Sequence, residues 1–328
     1  MAERYARVAQ ALREQPWAIV PAMFNALLEI VEFRLEGGRL TADEIAARIG
    51  DRERPSNTAR VRSTAVLALH GPISQRMNLF SAISGGTSTE LFGREFADAM
   101  ADPDVNAIVL SIDSPGGSVA GVEELAQKIY KARGSKPIVA VADSLAASAA
   151  YWIGSQADEF VASPSAQVGS IGVVTSHRDL SKAEDAMGVK TTVIAIPDAK
   201  VEGHPYAPLS EDALAGVLAS MQPFYDLFLK AVARGRGVAA SAVKDGYGQG
   251  RVLAAAPAKA AGMVDRIESL ADVIARLASP QGRKAVLQAQ SPSAAGQTTG
   301  QEPPAATPQE SPRALWRELL TADLNTVE

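Results

Sequence analysis

From about residue 63 the chain alternates short apolar runs with segments whose apolar residues recur at helical spacing. "STAVLALHGPI" is an apolar run cut by Gly71 and Pro72, which predicts a buried strand and a turn. "STELFGREFADAMAD" has the period of a helix, "NAIVLSIDSPGG" reads as a strand ending in a Pro-Gly-Gly turn, and "VAGVEELAQKIYKAR" is again helical. "KPIVAVAD" predicts a strand and "LAASAAYWIGSQA" a helix, while "EFVASP", "QVGSIGVVTS" and "KTTVIAI" predict three more strands. "EDALAGVLASMQPFYDLFLKAVARGRG" is a long amphipathic helix closed by glycine. Strands alternating with helices imply βαβ units and a largely parallel sheet, so the expected class is α/β.

The flanks follow different rules. Residues 1–60 read as a helical preface. Within it, "PWAIVPAMFNALLEIVEF" is broken by Pro21, Asn25, Glu29 and Glu32, too interrupted for the roughly 20 apolar residues of a bilayer span. It is read as an amphipathic helix docking on the body or a partner, with a membrane surface as the alternative. Thr41 with Glu44 three residues later has the capping-box pattern, and "DRERPSN" is a polar connector. Residues 61–279 form the expected main domain. After 279 the composition falls to Ser, Pro, Gln, Ala, Gly and Thr, which predicts a disordered linker over 280–312. Residues 313–328 contain "RALWRELLTADL", read as a short terminal helix, either a frayed tail or a docking peptide. The charged start "MAERYARVAQALREQ" is not a signal peptide, so a soluble cytoplasmic protein with no transmembrane segment is expected.

Composition narrows the chemistry. The 328 residues are 47% hydrophobic and carry a net charge of −5, an unsuitable balance for a nucleic-acid surface. There is no cysteine, which removes disulfides, thiolate metal sites and a cysteine nucleophile. The three histidines, His70, His177 and His204, lack metal-ligand spacing, and His70 reads as a satisfied imidazole at a strand end; no metal and no cofactor are expected. No serine sits in a G-x-S-x-G elbow and no P-loop is present. "SGGTST" over 84–89 is read as a mobile loop before a helix rather than a phosphate cradle.

Two junctions remain. "SIDSPGGSV" places Gly116 and Gly117 directly after a strand, where they allow a sharp turn with exposed backbone N–H groups. "DSLAASAAYWIG" places Ser148 among alanines at the next strand-to-helix junction. In a parallel sheet both lie at carboxyl ends of neighbouring strands, where ligands bind. A helix start at Ser148 favours developing negative charge, and the Gly117 and Ala149 N–H groups would converge as an oxyanion hole. The bland alternatives are a tight βα turn and a small filler side chain. With no convincing histidine, the base for a serine nucleophile would be a lysine. Lys200 in "IAIPDAKVEGHPY" is the candidate. An ordinary lysine, with pKa about 10.4, needs desolvation by roughly three units to serve near neutrality, so activity is expected to rise with pH. A plain surface lysine is the competing reading.

The ordered set "DSPGG", "AASAAYW", "VGSIGV", a lysine and "GRVLAAAPAKAAGMVD" resembles the signal peptide peptidase A-type serine peptidases of the ClpP/crotonase superfamily. The resemblance covers about residues 62–275. It implies a ClpP/crotonase-like layered β-α-β sheet with flanking helices. It also implies that Ser148 attacks a peptide carbonyl, Lys200 takes its proton and Ser170 orients Lys200 by a hydrogen bond. Gly117 and Ala149 would then donate to the oxyanion, Gly116 would permit the turn, and Asp113 would be structural. Ser170 and Lys200 follow Ser148 by 22 and 52 residues, similar to the family's short members. Where the family has two glycines after the serine, this chain has Ala149 and Ala150, which tolerate positive φ poorly. The lysine segment also differs from the usual small-residue pattern.

The missing membrane anchor, the soluble preface and the tail make the layout similar to phage head-maturation (capsid assembly) proteases. Three functions follow. The first is a homo-oligomeric serine endopeptidase that processes capsid or scaffold proteins. The second is a cytoplasmic peptidase that degrades signal-peptide fragments or other peptides. The third is a non-catalytic capsid or scaffold subunit that retains the fold.

Overall fold

The structure, a computed structural model, describes residues 12, 15–35, 37, 38, 41, 44, 58–76 and 86–289. The connector expected over 51–57 and the terminal helix over 313–328 lie outside the described residues. Thr41 and Glu44 form the expected capping box: the Glu44 carboxylate accepts from the Thr41 N–H at 2.7 Å, and the Thr41 hydroxyl accepts from the Glu44 N–H at 3.2 Å.

The main sheet is built on β3 (Thr64–His70), β6 (Ala107–Ser114) and β8 (Ile138–Ala147), paired in parallel in the order β3-β6-β8. The hairpin strand β2 (Thr58–Val61) closes one edge antiparallel to β3. Strand β8 is long enough to serve two neighbours. Its first half pairs in parallel with β9 (Glu159–Ala162) and its second half with β10 (Gln167–Gly169), which pairs antiparallel with β11 (Val252–Ala254). The short strand β12 (Arg266–Ile267) lies parallel to β9.

The central strands bury both faces, and their side chains sort by the two-residue period of a strand. Ile108, Leu110 and Ile112 face a core with Phe92 and Phe96 of α2 (Thr89–Ala101) and Leu125 and Ile129 of α3 (Val122–Ala132). Ala107, Val109, Val139 and Val141 face the other way, onto Val273 and Leu277 of α9 (Leu270–Leu277) and Val286 of α10 (Pro280–Ala289). Burial on both faces explains why these strands open with continuous apolar stretches, Ala107–Leu110 and Ile138–Ala142, rather than alternating ones. Helices therefore cover both faces, the layered mixed α/β arrangement expected from the sequence.

A second, smaller sheet stands at the carboxyl end of the first. It comprises β1 (Trp17–Ile19), β7 (Gly116–Ser118), β4 (Ile73–Ser74) and β5 (Thr87–Ser88), in that order. Strands β4 and β7 pair in parallel, and β1 runs antiparallel to β7. Helix α1 (Pro21–Leu35) follows β1 and buries Phe24, Leu27, Ile30 and Val31 against Trp17 and Ile19.

The remaining helices are α4 (Ala149–Gly154), α5 (Ser181–Ala186), α6 (Glu211–Arg236), α7 (Ala240–Gly246) and α8 (Ala255–Ala260). The 26-residue α6 starts at a Ser210 cap and ends on Gly237 in the left-handed region (φ 66°), as the closing glycine predicts.

The structure corrects several expectations. "KTTVIAI" forms no strand; residues 189–196 run irregularly and are largely solvent-exposed, with Ile194 at 87% and Ile196 at 92% exposure. A run of β-branched residues becomes a strand only where an edge receives it, and no described edge does. The helix expected over "LAASAAYWIGSQA" begins only after Ser148, because Leu145–Ala147 continue β8 to pair with β10. The run "WAIV" ahead of Pro21 is strand rather than helix, and the strand expected from "QVGSIGVVTS" stops at Gly169. Thr87 and Ser88, inside the expected loop "SGGTST", form β5 and the cap of α2. Residues 280–289, expected to open the linker, are the helix α10.

Candidate active site

Ser148 stands where β8 ends and α4 begins. It is fully buried and holds φ 54° and ψ −118°, which non-glycine residues rarely adopt. Two backbone bonds fix that turn. The Ser148 N–H donates to the Gly169 carbonyl at 2.7 Å, and the Ser148 carbonyl accepts from the Trp152 N–H at 2.9 Å. Its hydroxyl points to the Gly172 carbonyl at 3.4 Å. The left-handed position is thus the serine itself. Ala149 and Ala150 are helical residues of α4, so alanine in place of glycine there strains nothing.

Helix α4 is short and completely buried, and it is held from several sides. The Tyr151 hydroxyl donates to the Met263 carbonyl at 2.9 Å, and burial pushes that phenol well above its ordinary pKa. Trp152 stacks on Phe228 with ring centroids 4.5 Å apart and donates its indole N–H to Glu123 at 3.0 Å. Arg234 then donates to both Glu123 and Gln156, and Gln156 donates to the Trp152 carbonyl at 3.1 Å. The loop of bonds closes on the residue one helical turn after the serine, so α3 and α6 together fix where Ser148 points.

The glycine turn lies against it. Gly116 has φ 95°, and a side chain at that position would start 2.9 Å from the Ser148 β-carbon and 3.0 Å from the Ala147 carbonyl. A side chain on Gly117 would start 1.9 Å from the Ile73 carbonyl, since Gly117 pairs with Ile73 across β4 and β7. Both glycines are needed because backbone passes where a β-carbon would be. Ser114 supports the turn: its hydroxyl donates to the Gly71 carbonyl at 2.6 Å and accepts from the Gly116 N–H at 3.1 Å. The Asp113 carbonyl accepts from the Gly71 N–H at 2.9 Å.

Ser170 follows β10 directly and repeats the unusual backbone of Ser148, with φ 54°; it is buried and its N–H donates to the Arg251 carbonyl at 2.9 Å. Two left-handed serines therefore cap two adjacent parallel strands. Non-glycine residues held this way cost on the order of 1–3 kcal/mol each and cluster at functional sites. Lys200 lies on a single 3-10 turn, Asp198–Val201, within the exposed segment that follows. The structure thus gathers Ser148, Ser170, Gly116, Gly117 and Ala149 at one end of the sheet, and leaves the Lys200 side chain exposed to solvent. No group of three or more His, Asp or Glu among the described residues is placed to hold a metal ion.

Residues 131–284 match the model of Peptidase family S49. The chain carries a peptidase family S49 domain. The matched stretch includes Ser148, Ser170 and Lys200, whereas the glycine turn at 116–117 precedes it. Capsid assembly protease C of Escherichia phage lambda is 30% identical over 246 residues, 73% of this chain and 56% of that protein. Head-tail preconnector protein GP5 of Enterobacteria phage P21 is 29% identical over 250 residues, 76% of this chain and 49% of that protein. Protease 4 of Salmonella typhi is 30% identical over 224 residues, 65% of this chain and 34% of that protein. The chain thus spans about half the length of the phage relatives and a third of the bacterial one. No helix among the described residues is long and apolar enough to cross a membrane.

Reading the sequence for chemistry overlooked three contributors to the site. The Gly169 and Gly172 carbonyls receive the serine's backbone and side-chain hydrogens, but a carbonyl acceptor leaves no mark on residue identity. The third is β1, laid along the glycine turn. It had a legible signal, since "WAIV" is a four-residue apolar run bounded by Pro16 and Pro21.

Proposed function

We propose that this chain is a serine endopeptidase in which Ser148 attacks the peptide carbonyl and Lys200 is the general base. The observation that carries the reading is the buried Ser148 held at φ 54° against Gly116, at the carboxyl end of a parallel strand. A turn of this kind locks the backbone of a serine at a strand-to-helix elbow and so fixes the direction of its hydroxyl, as a nucleophile needs. The Gly117 and Ala149 N–H groups receive the developing oxyanion, and Ser170 orients Lys200. The hydroxyl proton passes to the Lys200 amine as the new C–O bond forms, and then to the leaving amine as the peptide C–N bond breaks. Water hydrolyses the acyl-serine by the same route in reverse.

Lys200 reaches Ser148 when the exposed segment around Ile194 and Ile196 is packed, and the surface that packs it belongs to a second copy of this chain. The active form is therefore a homo-oligomer. Its substrates are capsid or scaffold proteins during phage head assembly in the host cytoplasm, in line with the phage relatives. The likeness to Protease 4 favours a second reading, a cellular peptidase that degrades peptides. Co-expression with the neighbouring genes of its source, followed by mass spectrometry, separates them. Capsid or scaffold fragments that vanish in Ser148→Ala, with the oligomer intact, bear the proposal out. Unchanged fragments in Ser148→Ala reject it.

A further inference from the structure

Strand β1 lies between the glycine turn and the stretch that follows Ser170. On one side Trp17, Ala18 and Ile19 pair antiparallel with Ser118, Gly117 and Gly116, and the Val20 N–H donates to the Pro115 carbonyl at 2.9 Å. On the other side Trp17 exchanges two bonds with Val174, which lies four residues after Ser170. The Trp17 N–H donates to the Val174 carbonyl at 2.9 Å and the Val174 N–H to the Trp17 carbonyl at 2.8 Å. An extended segment is thus bonded on both edges, between the glycine turn and the stretch that follows the second serine. The Ala18 carbonyl lies 2.2 Å from where a Gly116 side chain would start, and the Ser148 β-carbon lies 2.9 Å from the same point. One carbonyl of this strand and the candidate nucleophile therefore meet above one glycine.

We infer that residues 17–19 are an internal occupant of the peptide cleft, which closes the site until the strand is displaced. The inference rests on the peptidase reading and goes beyond it, because it names what fills the cleft and what must leave. Strand addition draws its affinity from main-chain hydrogen bonds, so any extended peptide competes for the same donors and acceptors. A tethered occupant competes at an effective concentration in the millimolar range for short flexible links. Trp17 and Ile19 are further anchored in an apolar cluster with Phe24, Leu27 and Ile30 of α1. Weakly binding peptides are then excluded. A substrate presented at high local concentration, or an assembly step that pulls α1 and β1 away together, opens the cleft.

The chain's lack of cysteine makes a direct test possible. Antiparallel residues that exchange two hydrogen bonds have Cα atoms about 5.5 Å apart, within the range a disulfide bridges. In the full-length chain, Trp17→Cys with Val174→Cys locks the strand in place when oxidised and frees it when reduced. In a Ser148→Ala background, a fluorescein-labelled apolar peptide should bind the oxidised form at least tenfold more weakly than the reduced form. With Ser148 intact, a fluorophosphonate probe should label the oxidised form at least tenfold more slowly. Equal binding in the two redox states overturns the inference, whether or not the chain hydrolyses peptides. Redox-dependent binding by a reduced form that never cleaves the peptide keeps the inference and removes the peptidase reading. Should the double variant fail to fold, hydrogen exchange on Ser148→Ala decides. Saturating peptide should accelerate exchange at Trp17 while the amides of 116–118 stay protected, and unchanged exchange at Trp17 overturns the inference.

Discussion

The Ser148 β-carbon lies 2.9 Å from the point where a side chain on Gly116 would begin, so the turn and the serine fit only while residue 116 has no side chain. Gly116 also holds φ 95°. Gly116→Ala must move either Ser148 or the Ala18 carbonyl that crowds the same point. We expect a loss of about 2–3 kcal/mol in urea unfolding and loss of serine labelling by a fluorophosphonate. Wild-type labelling in this variant would show that the contact is slack.

The backbone strain at Ser148 can be measured against glycine. Ser148→Ala keeps a β-carbon at φ 54°, whereas Ser148→Gly removes it. Both variants should be inactive. Relief of strain exceeds the extra chain entropy of glycine, so Ser148→Gly should be the more stable of the two by about 1 kcal/mol. If Ser148→Gly unfolds at lower urea than Ser148→Ala, the turn is not strained.

The bonds through Glu123, Arg234 and Gln156 act on the serine at a distance. Arg234→Met keeps the aliphatic bulk but leaves Gln156 and Glu123 without their shared donor. Because Arg234 is partly exposed, the cost should be only about 2 kcal/mol. A positioning role predicts that kcat falls while KM for a peptide changes little. A fall in stability with unchanged kcat would make the cluster purely structural.

Acid acts on the ion pair of Arg236 and Asp265, which meet at 2.6 Å and 2.8 Å. Burial pushes the Asp265 carboxyl up, but the Arg236 guanidinium outweighs it and holds the group below the usual 3.8. Its folded pKa is depressed, so the stability it adds is present above the unfolded value and lost as pH falls through the folded one. Asp158 has the opposite sign, because burial raises it and protonation relieves a cost. Because the Asp265 side chain is 39% exposed and solvent screens the pair, Asp265→Asn should lose only about 1 kcal/mol at pH 7, and its gap from the wild type should narrow by pH 3. A gap that stays constant across that range would contradict the pairing.

The chain order of hydrophobic patterns determined most of the architecture. Residues 65–69, 107–110 and 138–142 are continuous apolar runs, α2, α3 and α6 carry helical period, and α2 and α6 start at the serine caps Ser88 and Ser210, so class and element order follow from local chemistry. Ser148, Ser170 and the glycine pair could be picked out because special backbone positions select small residues. Only tertiary structure decided three other matters. Residues 190–196 have every local preference for a strand, yet a strand needs an edge to pair with, and pairing is non-local. "WAIV" became a strand because β7 and Val174 offered one. The left-handed turn fell on Ser148 rather than on Ala149 because β8 extends to meet β10, and the Gly169 carbonyl captures the serine's N–H. A sequence records what each segment can become; which bonds its backbone finally makes depends on partners far along the chain.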